Sequence, residues 1–169
     1  MDEVFPGTRH QRCWVHKVSN VLNHFPKSMQ PAVTADLREI SHAETRAGAL
    51  AAIETFEKKY GAKYARGVAC LTKDTEALLA FYEFPAEHWD DLRTSNPIES
   101  VFATVRHRTV RTKGALSQTT AKLMVFTLVR AASRTWRRLN GTNQLPRVIE
   151  GVTFIDGVAQ NDATQNRAA

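Results

Sequence analysis

The sequence predicts a mostly α-helical chain, on three observations. Apolar residues recur at i, i+3, i+4 spacing through most of its 169 residues. Ser or Asn followed three residues later by Glu stands ahead of two of these stretches, the pattern of a capping box. Gly or Pro closes several of them. One stretch alone alternates like a strand, and no convincing partner follows it.

In chain order, Met1 to Gly7 is short and ends in the turn signal Pro6-Gly7. Thr8 to Val15, TRHQRCWV, reads as one short strand. It runs into HKVSNVLNHF, where Val18, Val21, Leu22 and Phe25 repeat at helical spacing until Pro26 closes the helix. Residues 27–83 read as a helical block. Pro31 to Ser41 is a short amphipathic helix with Val33, Leu37 and Ile40 inside. Ser41 and Glu44 form a capping box for a helix whose Leu50, Ile53, Phe56 and Tyr60 face inward until Gly61 stops it. Ala62 to Phe81 supplies one or two more helices, with Tyr64, Val68, Leu71, Leu78 and Phe81 apolar.

Phe84-Pro85 breaks that pattern, and AEHWDDLRT, residues 86–94, is a short turn or helical approach carrying Trp89 and Leu92. The next helix begins at NPIESVFATVRHRTVRTKG, residues 96–114. Asn96 suits the N-cap, Pro97 the first helical position, and Glu99 completes a capping box. Ile98, Val101, Phe102, Val105 and Thr109 would face a core, leaving Glu99, Ala103 and Arg106 on a neighbouring open face. A long helix of roughly Ser117 to Leu139 follows, with Leu123, Phe126, Leu128, Val129, Ala132 and Trp136 apolar, and Gly141 ends it. The tail holds an apolar cluster, Val148, Ile149, Val152, Phe154 and Ile155, and a polar end from Gln160 expected to be disordered. The expected segments are therefore 1–26, 27–93, 94–141 and 142–169.

A formal charge of +6 and a pI near 9.6 favour an anionic partner. The distribution is sharper than the total: from Arg93 to Arg138 there are ten cations against one acid, Glu99. That half is an electrostatic footprint suited to nucleic acid. Arg106, Arg108, Arg111 and Lys113 are the candidate phosphate contacts, although cations at a helix C-terminus also suit its dipole. Two cysteines, Cys13 and Cys70, form no disulfide framework, no apolar run is long enough to cross a bilayer, and no signal-peptide pattern is present. These features predict a soluble cytoplasmic protein with no membrane partner.

A single acid followed by cations suits a place where metal and phosphate meet, yet an Asn-Pro-x-Glu start also opens many helices with no chemistry. Cys13 and His16 form C-x-x-H, the one metal-like spacing. A closed zinc site needs four ligands, and Cys70 and His24 make no obvious second pair, so a buried cysteine and a capping or hydrogen-bonded histidine are the better reading. No Gly-rich phosphate loop and no nucleophile motif is present.

Two segments, QRCWVHKVSNVL at 11–22 and EHWDDLRTSNPIESVFATVRHRT at 87–109, closely resemble the Mutator-type family of bacterial insertion-sequence transposases. That family has a strand ending Q-R-C-x-x-H-K, a helical insertion, and then W-x-x-x-R-T-x-N-x-x-E opening an arginine-rich helix. The resemblance runs from about Phe5 to Arg138. It implies the C-terminal part of a ribonuclease-H-like α/β catalytic domain with an all-helical insertion, in which the lone strand is the last of a sheet encoded earlier. It also implies DNA cleavage and strand transfer by two aspartates and one glutamate holding two divalent ions, Mg2+ or Mn2+. Glu99 falls on the catalytic, metal-binding glutamate; Cys13, His16 and Asn96 fall on signature positions whose role the resemblance leaves open.

The family's two aspartates precede the C-x-x-H. Asp2 lies too close to it, and Asp74, Asp90 and Asp91 match no metal-binding position. The expectation is a transposase fragment, inactive alone, with insertion-sequence ends and target DNA as partners, self-association, and a place on the bacterial nucleoid. The alternative is a truncated product that binds DNA or interferes with an intact transposase.

Overall fold

Residues 9–111 and 117–160 are described by the computed structural model. They form eight α-helices, short 3-10 turns and one two-stranded hairpin, so the mostly helical expectation holds. The chain divides into two compact units, Met1–Thr94 with Asn140–Ala169, and Ser95–Leu139.

The first unit is built on three helices, α1 (Trp14–Leu22), α2 (Gln30–Ser41) and α3 (Arg46–Thr72). Their apolar faces meet in a core of Trp14, Val21, Val33, Leu37, Ile40, Ile53 and Phe56. The α2 periodicity reads as predicted, with Val33, Leu37 and Ile40 all buried. Phe25, just beyond α1, packs edge-on to Tyr60 at 5.3 Å between ring centres and lies 4.6 Å from Tyr64. Gly67 lets it sit there, since a Cβ at that position would stand 2.5 Å from the Phe25 ring.

Several expectations are corrected. Residues 9–13 form no strand and Trp14 already starts α1. A lone strand has no ladder to join, and the backbone amides of this segment go elsewhere: Arg12 N–H to Ala77 O and Trp14 N–H to Arg93 O, each at 2.8 Å. Ser41 ends α2 rather than capping α3. Its hydroxyl donates to Arg38 O, while Thr45 caps α3 by accepting from Gly48 N–H at 3.0 Å. Gly61 does not stop α3, because the aromatic packing of Tyr60 and Tyr64 on Phe25 outweighs the roughly 1 kcal/mol helix penalty of one glycine. The helix instead kinks at Tyr64, where φ is −126° and ψ 45°.

After α3 come α4 (Thr75–Leu79), 3-10 turns at Ala80–Glu83 and Ala86–His88, and α5 (Trp89–Leu92). Phe81, Tyr82 and Trp89 form an aromatic knot there. The tail returns to the same unit through α8 (Leu145–Ile149) and an antiparallel hairpin, β1 (Phe154–Ile155) with β2 (Val158–Ala159), pairing Phe154 with Ala159. Positive φ at Asp156 (46°) and Gly157 (82°) makes the tight turn. Partner strands therefore do exist downstream, although they pair with each other.

The second unit holds α6 (Asn96–Arg111) and α7 (Gln118–Ala132) packed against each other. Ser117 caps α7 by accepting from Thr120 N–H. α7 is shorter than expected: it ends at Ala132 and passes into a 3-10 turn at Ser133–Thr135. Of the face expected to be covered on α6, Val105 is buried and Val101 and Thr109 half-buried, but Ile98 and Phe102 are 61% and 60% exposed. Leu123, Phe126 and Trp136 are exposed as well. Periodicity puts these residues on shared faces; two helices alone do not cover them.

Candidate functional site

Glu99 sits in the first turn of α6, exposed. The helix starts one residue earlier than the sequence predicts. The carbonyl of Ser95, not Asn96, accepts the first intrahelical bond, from Glu99 N–H at 2.9 Å, so Ser95 is the cap. The Ser95 hydroxyl also donates to Glu99 Oε1 at 2.5 Å, tying the two residues together through side chain as well as backbone. Asn96 is exposed on the first helical position.

Helical geometry sorts the predicted cations. At 100° per residue, Arg106 lies seven positions from Glu99, on the same face about 10 Å along the axis, whereas Arg108 at nine positions lies opposite. Both are exposed. Arg111 is the last residue of α6, and Lys113 lies outside the described residues. Ser95–Leu139 carries nine Lys and Arg residues in the sequence and one acid, Glu99, so the unit is strongly positive around a single carboxylate.

Cys13 and His16 lie in the other unit, Cys13 half-buried just before α1 and His16 exposed on it. Among the described residues no three His, Cys, Asp or Glu side chains are grouped to hold a metal. Their neighbours in the same signature do the anchoring. Gln11 Nε2 and Trp14 Nε1 both donate to Leu78 O, at 3.1 and 3.0 Å. Lys17, 2% exposed, donates to Cys70 O at 2.7 Å and to Asp74 Oδ2 at 2.5 Å, and Arg12 Nε approaches the same oxygen at 3.3 Å. The Lys17 ammonium holds the Asp74 carboxyl below the usual aspartate value against the opposing effect of burial.

Sequence reasoning missed Lys17 and Asp74. The signal was there: Lys17 occupies the i+3 position between Trp14 and Val21 on the apolar face of α1, where a lysine needs a buried partner. The second signature, W-x-x-x-R, works the same way. Trp89 Nε1 donates to Phe84 O at 3.0 Å, and Arg93 donates to Ser41 O at 2.7 Å, pairs with Asp90, and lies over the Phe81 ring. Asp74 and Asp90 thus serve ion pairs within the helical block.

No helix among the described residues is long and apolar enough to cross a membrane. The family model "Transposase, Mutator family" matches residues 1–139. The chain is 46% identical over 161 residues to the transposase for insertion sequence element IST2 of Acidithiobacillus ferrooxidans, covering 95% of this chain and 54% of that protein. It is 48% identical over 155 residues to the transposase for element IS6120 of Mycolicibacterium smegmatis, covering 92% and 48%. A transposase for element ISRM3 of Rhizobium meliloti is 31% identical over 138 residues, covering 80% and 34%. The chain spans about half the length of the first two relatives.

Proposed function

Because the chain belongs to the Mutator family of transposases, we propose that it takes part in transposition of an insertion sequence by contributing one catalytic carboxylate, Glu99, to DNA cleavage and strand transfer. One observation carries the reading. The residues matched by the family model include an arginine-rich helix whose first turn holds the sole acid of its unit, Glu99.

The proposed setting is a ribonuclease-H-like domain using two divalent ions, Mg2+ or Mn2+. The residues described here do not make such a centre by themselves. This chain supplies one oxygen ligand and a positive surface, and the aspartates come from residues outside it. Such ions, when bound, activate the attacking oxygen and stabilise the leaving one. What this chain's residues do is hold a carboxylate at a helix start and place Arg106 on the same face for a DNA phosphate. The proposed partners are insertion-sequence ends, target DNA and a second copy of the transposase, on the nucleoid.

A second reading, DNA binding or interference without catalysis, is favoured by the make-up of the unit, in which nine Lys and Arg residues accompany a single acid. Substitution separates the two. In a complex that supplies the upstream half from a relative, Glu99→Gln abolishes strand transfer and leaves DNA affinity intact. Strand transfer unchanged by Glu99→Gln would make the catalytic reading wrong.

A further inference from the structure

The geometry points to Ser95 as a positioning residue for the Glu99 carboxylate. This rests on the reading of Glu99 as a catalytic carboxylate, and it assigns a role to a position that the pattern W-x-x-x-R-T-x-N-x-x-E leaves unspecified.

An ionised carboxylate only accepts hydrogen bonds, so the hydroxyl donates to Oε1, and 2.5 Å is the length of a charge-assisted O–H···O bond. The capping box expected from the sequence would instead have bent the glutamate back onto a backbone N–H. Here the glutamate begins four residues after the cap, one position too late for that box. Its side chain is held by the cap's hydroxyl. Glutamate has three rotatable bonds, and an exposed one samples many rotamers. Anchoring Oε1 to a residue already locked by the Glu99 N–H bond at 2.9 Å sets the carboxylate's direction before any ligand arrives. Ligating carboxylates held by such partners are preorganised, and removing the partner weakens metal affinity or activity.

Two variants of the full chain test this. Ser95→Gly removes the hydroxyl while keeping a residue well tolerated at an N-cap, and Ser95→Thr keeps the hydroxyl. The chain is labelled with 13C at glutamate Cδ, the Glu99 signal is assigned with Glu99→Gln, and amide exchange over 96–99 reports the helix start. Ser95→Gly should shift the Glu99 signal and loosen its side chain with amide exchange preserved, while Ser95→Thr resembles the parent. In the complemented complex Ser95→Gly should lower kcat about tenfold or more at unchanged KM for DNA, with Thr restoring it. A Glu99 signal indifferent to Ser95→Gly, or equal loss in Gly and Thr, overturns the positioning role. If Glu99→Gln retains strand transfer, the catalytic reading falls with Ser95's part in it, whatever the carboxyl signal does.

Discussion

Lys17 and Asp74 are 57 residues apart in sequence, and their charged atoms stand 2.5 Å apart beneath the signature segment of α1. A lysine that is 2% exposed has no access to water, so Asp74 and Cys70 O take the place of solvent around its head group. Lys17→Ala should cost about 2–3 kcal/mol, below the usual loss for breaking a buried pair because Arg12 continues to face Asp74. Urea unfolding of the parent, Lys17→Ala and Asp74→Asn reads this directly. Parent-like stability in Lys17→Ala would show the contact to be incidental. The sign of the pH dependence follows from the lowered Asp74 value: its contribution is present above the ordinary aspartate pKa of 3.8 and is lost as pH falls from there through the folded value. Lys17→Ala should flatten that acid limb.

Gly157 ties the tail to the helical block. Its N–H donates to Tyr82 O and its carbonyl accepts from Ala86 N–H, each at 3.3 Å, and a Cβ there would meet Ala86 Cβ at 2.6 Å and Trp89 at 2.9 Å. With φ at +82° as well, Gly157→Ala should destabilise by about 2 kcal/mol or more. Its neighbour Asp156 accepts from Arg46 N–H at 2.6 Å, serving as a distant cap for α3, so Asp156→Ala should cost about 1 kcal/mol. Thermal melts that rank Asp156→Ala as the more damaging would contradict the close approach at Gly157.

Arg106 and Arg108 should separate in DNA binding because they lie on opposite faces of α6. Arg106→Ala is expected to reduce the slope of log affinity against log salt by roughly 0.9, one phosphate contact. Arg108→Ala should leave that slope unchanged, and the double substitution should match Arg106→Ala. Fluorescence anisotropy with a duplex, titrated over a salt series, distinguishes them. Equal effects from the two arginines would mean that DNA does not approach along the Glu99 face.

Much of the helical framework was legible. Val33, Leu37 and Ile40 announce α2 because a period of 3.6 survives whatever it packs against, and the Asn-Pro-x-Glu start located α6 to within one residue. The Phe154–Ala159 hairpin was missed although Asp156-Gly157 is a strong turn signal, because strands of two residues are too short to show alternation. Thr8 to Val15 misled for the opposite reason: its alternation was visible, but a strand exists only where a ladder partner stands beside it.

By itself, the sequence determined the helical class, the concentration of cations around a single acid, and the two signature segments that mark the family. These are local properties of residue type and spacing. Tertiary structure alone decided that Lys17 finds Asp74 across 57 residues, that Gly61 is overridden by aromatic packing on Phe25, and that Ser95 rather than Asn96 holds the start of α6 and the Glu99 carboxylate. Each of those outcomes depends on which groups meet in space. Local periodicity carries no information about a partner that the chain brings back from far away, nor about which of two adjacent polar residues the backbone selects as its cap.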